Sequence, residues 1–323
     1  MKKTLNIKKK ALIFISSGLD EKKFSFLKKK FPKISFQKYF ENNKSSLNKN
    51  IKDINILINC PRYIFSNNLI KEAKNLEWIH QGGAGIEEFM IEELKQSKIT
   101  LTNGKIIQGP EVADHALALL LFLTRNLNSA QKNFNDRRPV ELYGKNAFVF
   151  GLGGIGLNIC ERLNSFGSLV YGYTNDNIPL QSYIKKIYYN NDYKKILKNM
   201  DIIICAMPNT FRTKNFFNKN FFTKIKKGSY FINISRGDLV NTNDLTEYIK
   251  NETIIGAGLD VTTPEPLNKN HPLKKFENVI ITPHIAGQSD NNRDRSFELL
   301  CENIRRYLYS EKLLNIVSKK EEY

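Results

Sequence analysis

Cysteine is scarce in this chain and never paired. Cys60, Cys160, Cys205 and Cys301 are far apart and form no C-x-x-C motif, which excludes a disulfide scaffold and the common zinc and dithiol sites. Each sits in an apolar segment, where a thiol acts as a small hydrophobe, and such usage suits a reducing compartment. Long apolar runs are missing as well. The longest, such as Ala116 to Leu123, are too short to span a bilayer, so no membrane partner is expected. The N-terminal lysines precede a brief apolar run that alternates like a strand and lacks a cleavage site, which argues against a signal peptide. A cytoplasmic location is the expectation. Only four histidines are present, none in an H-E-x-x-H or other ligand spacing, so no metal is implied.

Acid is in short supply against base: 32 Asp and Glu face 50 Lys and Arg, a net charge of +18. A nucleic-acid groove would favour arginine with interleaved aromatics. Here 39 of the 50 are lysines, spread over most expected surface helices beside many Asn and Ile. No nucleic-acid partner is therefore expected, although the positive field would draw in small anions.

A chain of 323 residues can hold two domains. Short β-like runs alternate with helical patterns, which argues for parallel βαβ units. KALIFIS (10–16), INILINC (54–60), LEWIHQG (76–82) and ITLTN (99–103) read as strands, with helices over EKKFSFLKKKF and SNNLIKEAK. The segment 111–127 predicts a long helix, apolar nearly all round and so buried on several sides. Beyond it NAFVF, SLVYGY, DIIICAMP, SYFINIS, IIGAGLDV and NVIITPH predict a second set of strands. The final residues, SKKEEY, are expected to fray.

After NAFVF comes Gly151-Leu152-Gly153-Gly154-Ile155-Gly156. The G-x-G-x-x-G spacing carries weight because a strand precedes it and a helix pattern follows. Gly151 would allow a tight turn, Gly153 a close approach to a pyrophosphate, and Gly156 close packing of helix on strand. The helix N-terminus then faces the phosphates. About 20 residues on, such loops usually carry an acid for the ribose 2′-hydroxyl. Thr174 stands there instead, followed by Asn175 and Asp176. At that position no carboxylate repels a 2′-phosphate and no arginine receives one, so NAD and NADP both stay open, leaning to NADP.

WIHQGGAGIEEF (78–89), GPEVADHALALLLFLTR, FGLGGIG, the long run 206–240 ending in Arg-Gly, GLDVTTPEPL (258–267) and NVIITPHIAG (278–287) together resemble the D-isomer-specific 2-hydroxyacid dehydrogenases over nearly the whole chain. The resemblance implies an α/β fold of two Rossmann- or flavodoxin-like domains with parallel sheets. A substrate-binding domain over 1–100 and 289–323 would receive an inserted nucleotide domain over 101–288. It implies a catalytic set of Arg236, Glu265 and His284. Cofactor contacts would come from Gly151 to Gly156, Thr174, Asn175, Met207, Pro208, Thr213, Ile234, Ser235, Arg236, Asp260, His284 and Gly287. Substrate contacts would come from Gly82, Gly83, Ala84, Gly85, Arg236 and His284. Implied too is NAD(P)-dependent interconversion of a small 2-keto acid, such as glyoxylate or hydroxypyruvate, with its D-2-hydroxy acid. Family members are usually homodimers, and the apolar stretch 116–123 is the expected interface. A dinucleotide-sensing binding protein of corepressor type is the alternative.

Elementary chemistry suits those residue types. Reducing a 2-keto acid needs a hydride on carbon and a proton on oxygen. Side chains cannot supply the hydride, but a histidine can supply the proton. Glu265 beside it would stabilise the imidazolium. Arg236 would polarise the carbonyl and grip the substrate carboxylate. Each has a plainer reading: a solvent-exposed arginine, a solvated loop acid, a core histidine. His115 reads as structural, His271 as ordering a loop, and His80 as either a core residue or a liner of the substrate pocket.

Overall fold

The computed structural model describes residues 9–14, 19–39, 51–127 and 138–323. The chain divides into two compact units, Met1–Ile107 with Ser289–Tyr323, and Gln108–Gln288. The first holds a five-stranded parallel sheet of β1 (Lys9–Phe14), β2 (Ile34–Tyr39), β3 (Ile56–Ile58), β4 (Trp78–His80) and β5 (Thr100–Thr102), in the order β2-β1-β3-β4-β5. This is the 2-1-3-4-5 order of flavodoxin-like folds. Of the strand expected over 10–16, residues 15 and 16 lie outside the described residues. Helices α1 (Glu21–Lys30), α2 (Asn67–Glu72) and α3 (Glu92–Gln96) belong to this unit. Asp20 caps α1 by accepting from the Lys23 amide at 2.9 Å, and Lys28 to Lys30 in its last turn suit the negative end of the helix.

The second unit begins with α4 (Gly109–Thr124) and carries α5 (Gly154–Ser165), α6 (Lys219–Phe222) and α7 (Thr242–Lys250). Its sheet is β6 (Asn146–Phe150), β7 (Leu169–Tyr173), β8 (Lys186–Tyr188), β9 (Ile202–Cys205), β10 (Ser229–Asn233), β11 (Ile254–Leu259) and β12 (Val279–Ile281). All seven strands are parallel, in the order β12-β11-β10-β9-β6-β7-β8. The chain starts in the middle at β6 and winds outward in both directions, which opens a crevice between β6 and β9 where ligands bind in such sheets. β9 and β10 are buried along their whole length, as helix-covered parallel strands must be. Phe148, Phe150, Phe217, Phe222 and Phe231, all fully buried, fill one side. On the other, α4 lies against β11, with Leu119 and Leu123 over Gly258 and Gly256. Ala116, Leu117, Leu119, Leu120 and Leu123 are consumed inside this unit, so most of the stretch expected at an interface is core.

After the second unit the chain returns as α8 (Asn292–Leu308). Leu300, Cys301 and Ile304 pack with Ala11, Ile13 and Trp78 in the first unit's core. The tail is tied down rather than frayed. Val317 donates its amide to Leu101 at 2.9 Å, and Lys319 Nζ caps the end of α3 through the carbonyls of Leu94, at 3.1 Å, and Ile99, at 3.0 Å.

His80 proves to be a core histidine, 1 % exposed. Its Nδ1 lies 2.9 Å from Thr102 Oγ1, which also accepts from Trp78 Nε1 at 2.8 Å. Burial pulls the imidazole from 6.5 down to about 4. With the folded value below the unfolded one, its contribution to stability is complete above pH 6.5 and is lost as pH falls toward 4. Denaturant titrations at pH 7 and 4.5, read by Trp78 fluorescence, should show the wild type losing about 2 kcal/mol more than His80→Asn. Equal losses would show that His80 is not the group being charged.

Candidate active site

The glycine loop follows β6 at the centre of the nucleotide-type sheet. Gly151 has φ +93°, and a side chain there would meet the Ala206 carbonyl at 2.6 Å. At Gly156 a Cβ would stand 1.8 Å from the Gly151 carbonyl, so α5 approaches the turn only because this position is bare. Gly153 is different: a Cβ there meets nothing within 4 Å. The loop thus keeps open space above the first turn of α5, where free amides and the positive helix end would receive a pyrophosphate. Leu152 is buried, Gly154 opens the helix and Ile155 packs against its core. These residues fit a dinucleotide.

Three neighbouring strands, β10, β11 and β12, deliver the other residues to the same edge of the sheet. Arg236 follows β10, Asp260 and Glu265 follow β11, and His284 follows β12. His284 Nδ1 and Glu265 Oε1 lie 2.7 Å apart. Glu265 is steadied by the Thr262 amide at 3.4 Å from Oε2. Both side chains stay accessible, His284 at 45 % and Glu265 at 42 %. Arg236 is half-buried with an extended backbone, and Nη1 donates to the Ser235 carbonyl at 2.7 Å.

Asp260 is 2 % exposed and organises the turn between β12 and His284. It accepts from Thr282 Oγ1 at 2.6 Å and from the amides of Ile285 and Ala286 at 2.9 and 3.0 Å. Burial alone would raise this carboxyl, but hydrogen bonds from Thr282, Ala286 and Ile285, with the His115 ring 3.4 Å from Oδ1, outweigh it and hold it down at about 2. The carboxylate is therefore charged throughout the physiological range.

Several expected cofactor residues turn out to brace the loops. Thr213 Oγ1 donates to the Pro208 carbonyl at 2.7 Å and accepts from the Thr210 amide at 2.8 Å. Ser235 Oγ donates to the Met207 carbonyl, tying the ends of β9 and β10 together. Met207 and Ile234 are buried, and Gly287 comes near Gln108. Thr174 is buried and accepts the Asp176 amide at 3.1 Å, while Asn175 Oδ1 accepts from Tyr173 at 3.0 Å. The expected substrate loop lies in the other unit. There Gly82 donates its amide to Asn59 Oδ1 at 3.0 Å, and Asn103 Nδ2 donates to the Ala84 carbonyl at 2.6 Å. Neither asparagine was singled out from the sequence, and neither was Thr282. His115 carried a signal, a polar ring in an apolar helix.

Residues 117–286 match the family model described as D-isomer specific 2-hydroxyacid dehydrogenase, NAD binding domain. A glyoxylate reductase of Thermofilum pendens is 30% identical over 289 residues, covering 86% of this chain and 85% of that one. The human glyoxylate reductase/hydroxypyruvate reductase is 32% identical over 240 residues, or 71% of this chain and 73% of that protein. In fold, the chain is similar to a D-isomer specific 2-hydroxyacid dehydrogenase of Xanthobacter autotrophicus solved with NADPH and MES, at a TM-score of 0.82 and 22% identity over 97% of this chain and 99% of that one. The chain belongs to the D-isomer-specific 2-hydroxyacid dehydrogenase family. It is an oxidoreductase that works with a nicotinamide dinucleotide on the pair of 2-keto and 2-hydroxy acid.

The two glycines should part company on substitution. Gly153→Ala, with room for its methyl, should keep the melting temperature within about 2 °C but weaken dinucleotide binding at least about tenfold by calorimetry. Gly156→Ala, which drives a methyl into the Gly151 carbonyl, should lose about 2 kcal/mol or more of stability. Normal dinucleotide affinity in Gly153→Ala would contradict the assignment of the loop.

Proposed function

We propose that this protein reduces glyoxylate, hydroxypyruvate or a close relative to the D-2-hydroxy acid, with His284 as proton donor. The observation that carries the reading is the 2.7 Å contact between His284 Nδ1 and Glu265, in a chain whose relatives include reductases of those names. Bound nicotinamide supplies the hydride. With Nδ1–H donated to Glu265, the Nε2 proton of the imidazolium is the one to be given to the substrate oxygen as the hydroxyl forms. Glu265 fixes the ring plane and compensates its charge before transfer. In the reverse direction the neutral ring takes the proton back on Nε2.

Arg236 grips the substrate carboxylate and polarises its carbonyl; a guanidinium keeps its charge at every working pH and forks onto two oxygens. The loop Gly82 to Gly85 is assigned to the substrate carboxylate on the family resemblance, through amides other than that of Gly82, which serves Asn59. NADPH is the preferred cofactor, because Thr174 is turned inward and sets no carboxylate against a 2′-phosphate. The protein works as a cytoplasmic homodimer. The dinucleotide-sensing alternative has no support among the relatives named above.

Oxidation of NADPH and NADH followed at 340 nm with a panel of keto acids tests the reading. Turnover is expected with glyoxylate or hydroxypyruvate. His284→Ala and His284→Gln should lower kcat by about a thousandfold or more while dinucleotide affinity changes less than about threefold. Equal losses in both would make His284 a structural residue, and no turnover with any keto acid would refute the substrate class.

A further inference from the structure

A chain of hydrogen bonds runs from α4 to the turn that carries His284, and the chemistry above leaves its first member unused. The His115 side chain, 19% exposed, brings Nε2 to 2.9 Å from Thr282 Oγ1 and 3.4 Å from Asp260 Oδ1. Thr282 Oγ1 lies 2.6 Å from Asp260 Oδ1. Proton accounting sets the direction of the chain. Asp260, buried and ionised, has no proton to give, so the single hydroxyl proton of Thr282 goes to it. The Thr282 oxygen must then accept from His115, which fixes the imidazole with a proton on Nε2.

The far end of this chain is the catalytic turn. The amides of Ile285 and Ala286 donate to the Asp260 carboxylate, and the His284 amide donates to the Asp260 carbonyl at 2.9 Å. His284 itself has φ +55°, a left-handed conformation costly for a residue with a side chain. Asp260 stabilises that turn from within, and Thr282 and His115 hold Asp260 from behind.

We propose that His115 is a positioning residue for the reduction: its Nε2–H, relayed by Thr282, fixes Asp260 and so aims the His284 ring at the substrate. The role rests on the reading of His284 as proton donor. It predicts far more damage to turnover than to dinucleotide binding, since the glycine loop, where the pyrophosphate would sit, is not part of the chain of bonds.

Four variants test it: His115→Leu, which removes the donor; His115→Gln, whose amide nitrogen reaches about as far as Nε2; Thr282→Val; and the His115→Leu/Thr282→Val double. His115→Leu and Thr282→Val should each lower kcat about five- to fiftyfold, with the NADPH dissociation constant from calorimetry within about threefold of wild type. The double variant should fall no more than about twofold below the weaker single one, because both break the same chain. His115→Gln should recover most of the loss. By hydrogen exchange, the amides of Ile285 and Ala286 should open at least about fivefold faster in His115→Leu than in His115→Gln, with no matching change elsewhere in the unit. His284→Ala is measured alongside. Retained turnover there would remove the proton-donor reading itself. Inactive His284→Ala beside His115→Leu of wild-type kcat and loop exchange would overturn the positioning role alone. Multiplicative losses in the double variant, or a His115→Gln as poor as His115→Leu, would overturn it too.

Discussion

One buried charge organises the edge of the second unit where β11 and β12 end. Asp260 follows β11 directly, away from water, where a carboxyl would ordinarily become neutral. It stays ionised because donors surround it, and those donors are the turn itself: the Thr282 hydroxyl and the amides of Ile285 and Ala286. Folding the turn and solvating the charge are therefore one event. The left-handed backbone of His284 lies within that turn, and its ring meets Glu265. Removing any donor exposes the rest, because a buried acceptor left short of partners is costly.

Topology explains why this turn and the glycine loop share an edge. In an all-parallel sheet every strand ends on the same side, so β6, β10, β11 and β12 all deliver their following loops there. The glycine loop sits where the strand order reverses, and Arg236, Asp260, Glu265 and His284 follow the outer strands of one half. The sheet fixes the spacing and the loops supply the chemistry, which is how one fold serves many substrates. Membership of the 2-hydroxyacid dehydrogenase family agrees with such a division of labour.

Much of this was legible in the residues, for identifiable reasons. NAFVF stands as β6 with the bounds it was given, because an apolar run ending in glycine has few other options. Two strands went unread. β2, ISFQKY, mixes polar and apolar residues because it is an edge strand, and β8 is only three residues long; both are ways natural sheets blunt their edges. The helix read over 111–127 begins earlier, at Gly109, with a proline in its first turn, and ends at Thr124. The pairing of His284 with Glu265 could be anticipated only through motif resemblance, since 19 residues separate them. The bracing roles of Thr213, Ser235 and Thr282 were invisible, because a hydroxyl's partner is set by tertiary approach and not by its neighbours in sequence. His115 read only as a structural residue of an apolar helix, because its partner lies 167 positions away.

The most direct test of the account is a crystal structure of the protein with nicotinamide dinucleotide and oxamate, an unreactive stand-in for a small 2-keto acid. His284 Nε2 is expected within about 3 Å of the oxamate oxygen that replaces the keto group, with Nδ1 still on Glu265. A ring turned away from that oxygen, or parted from Glu265 with the ligand bound, would contradict the assignment of His284 as proton donor.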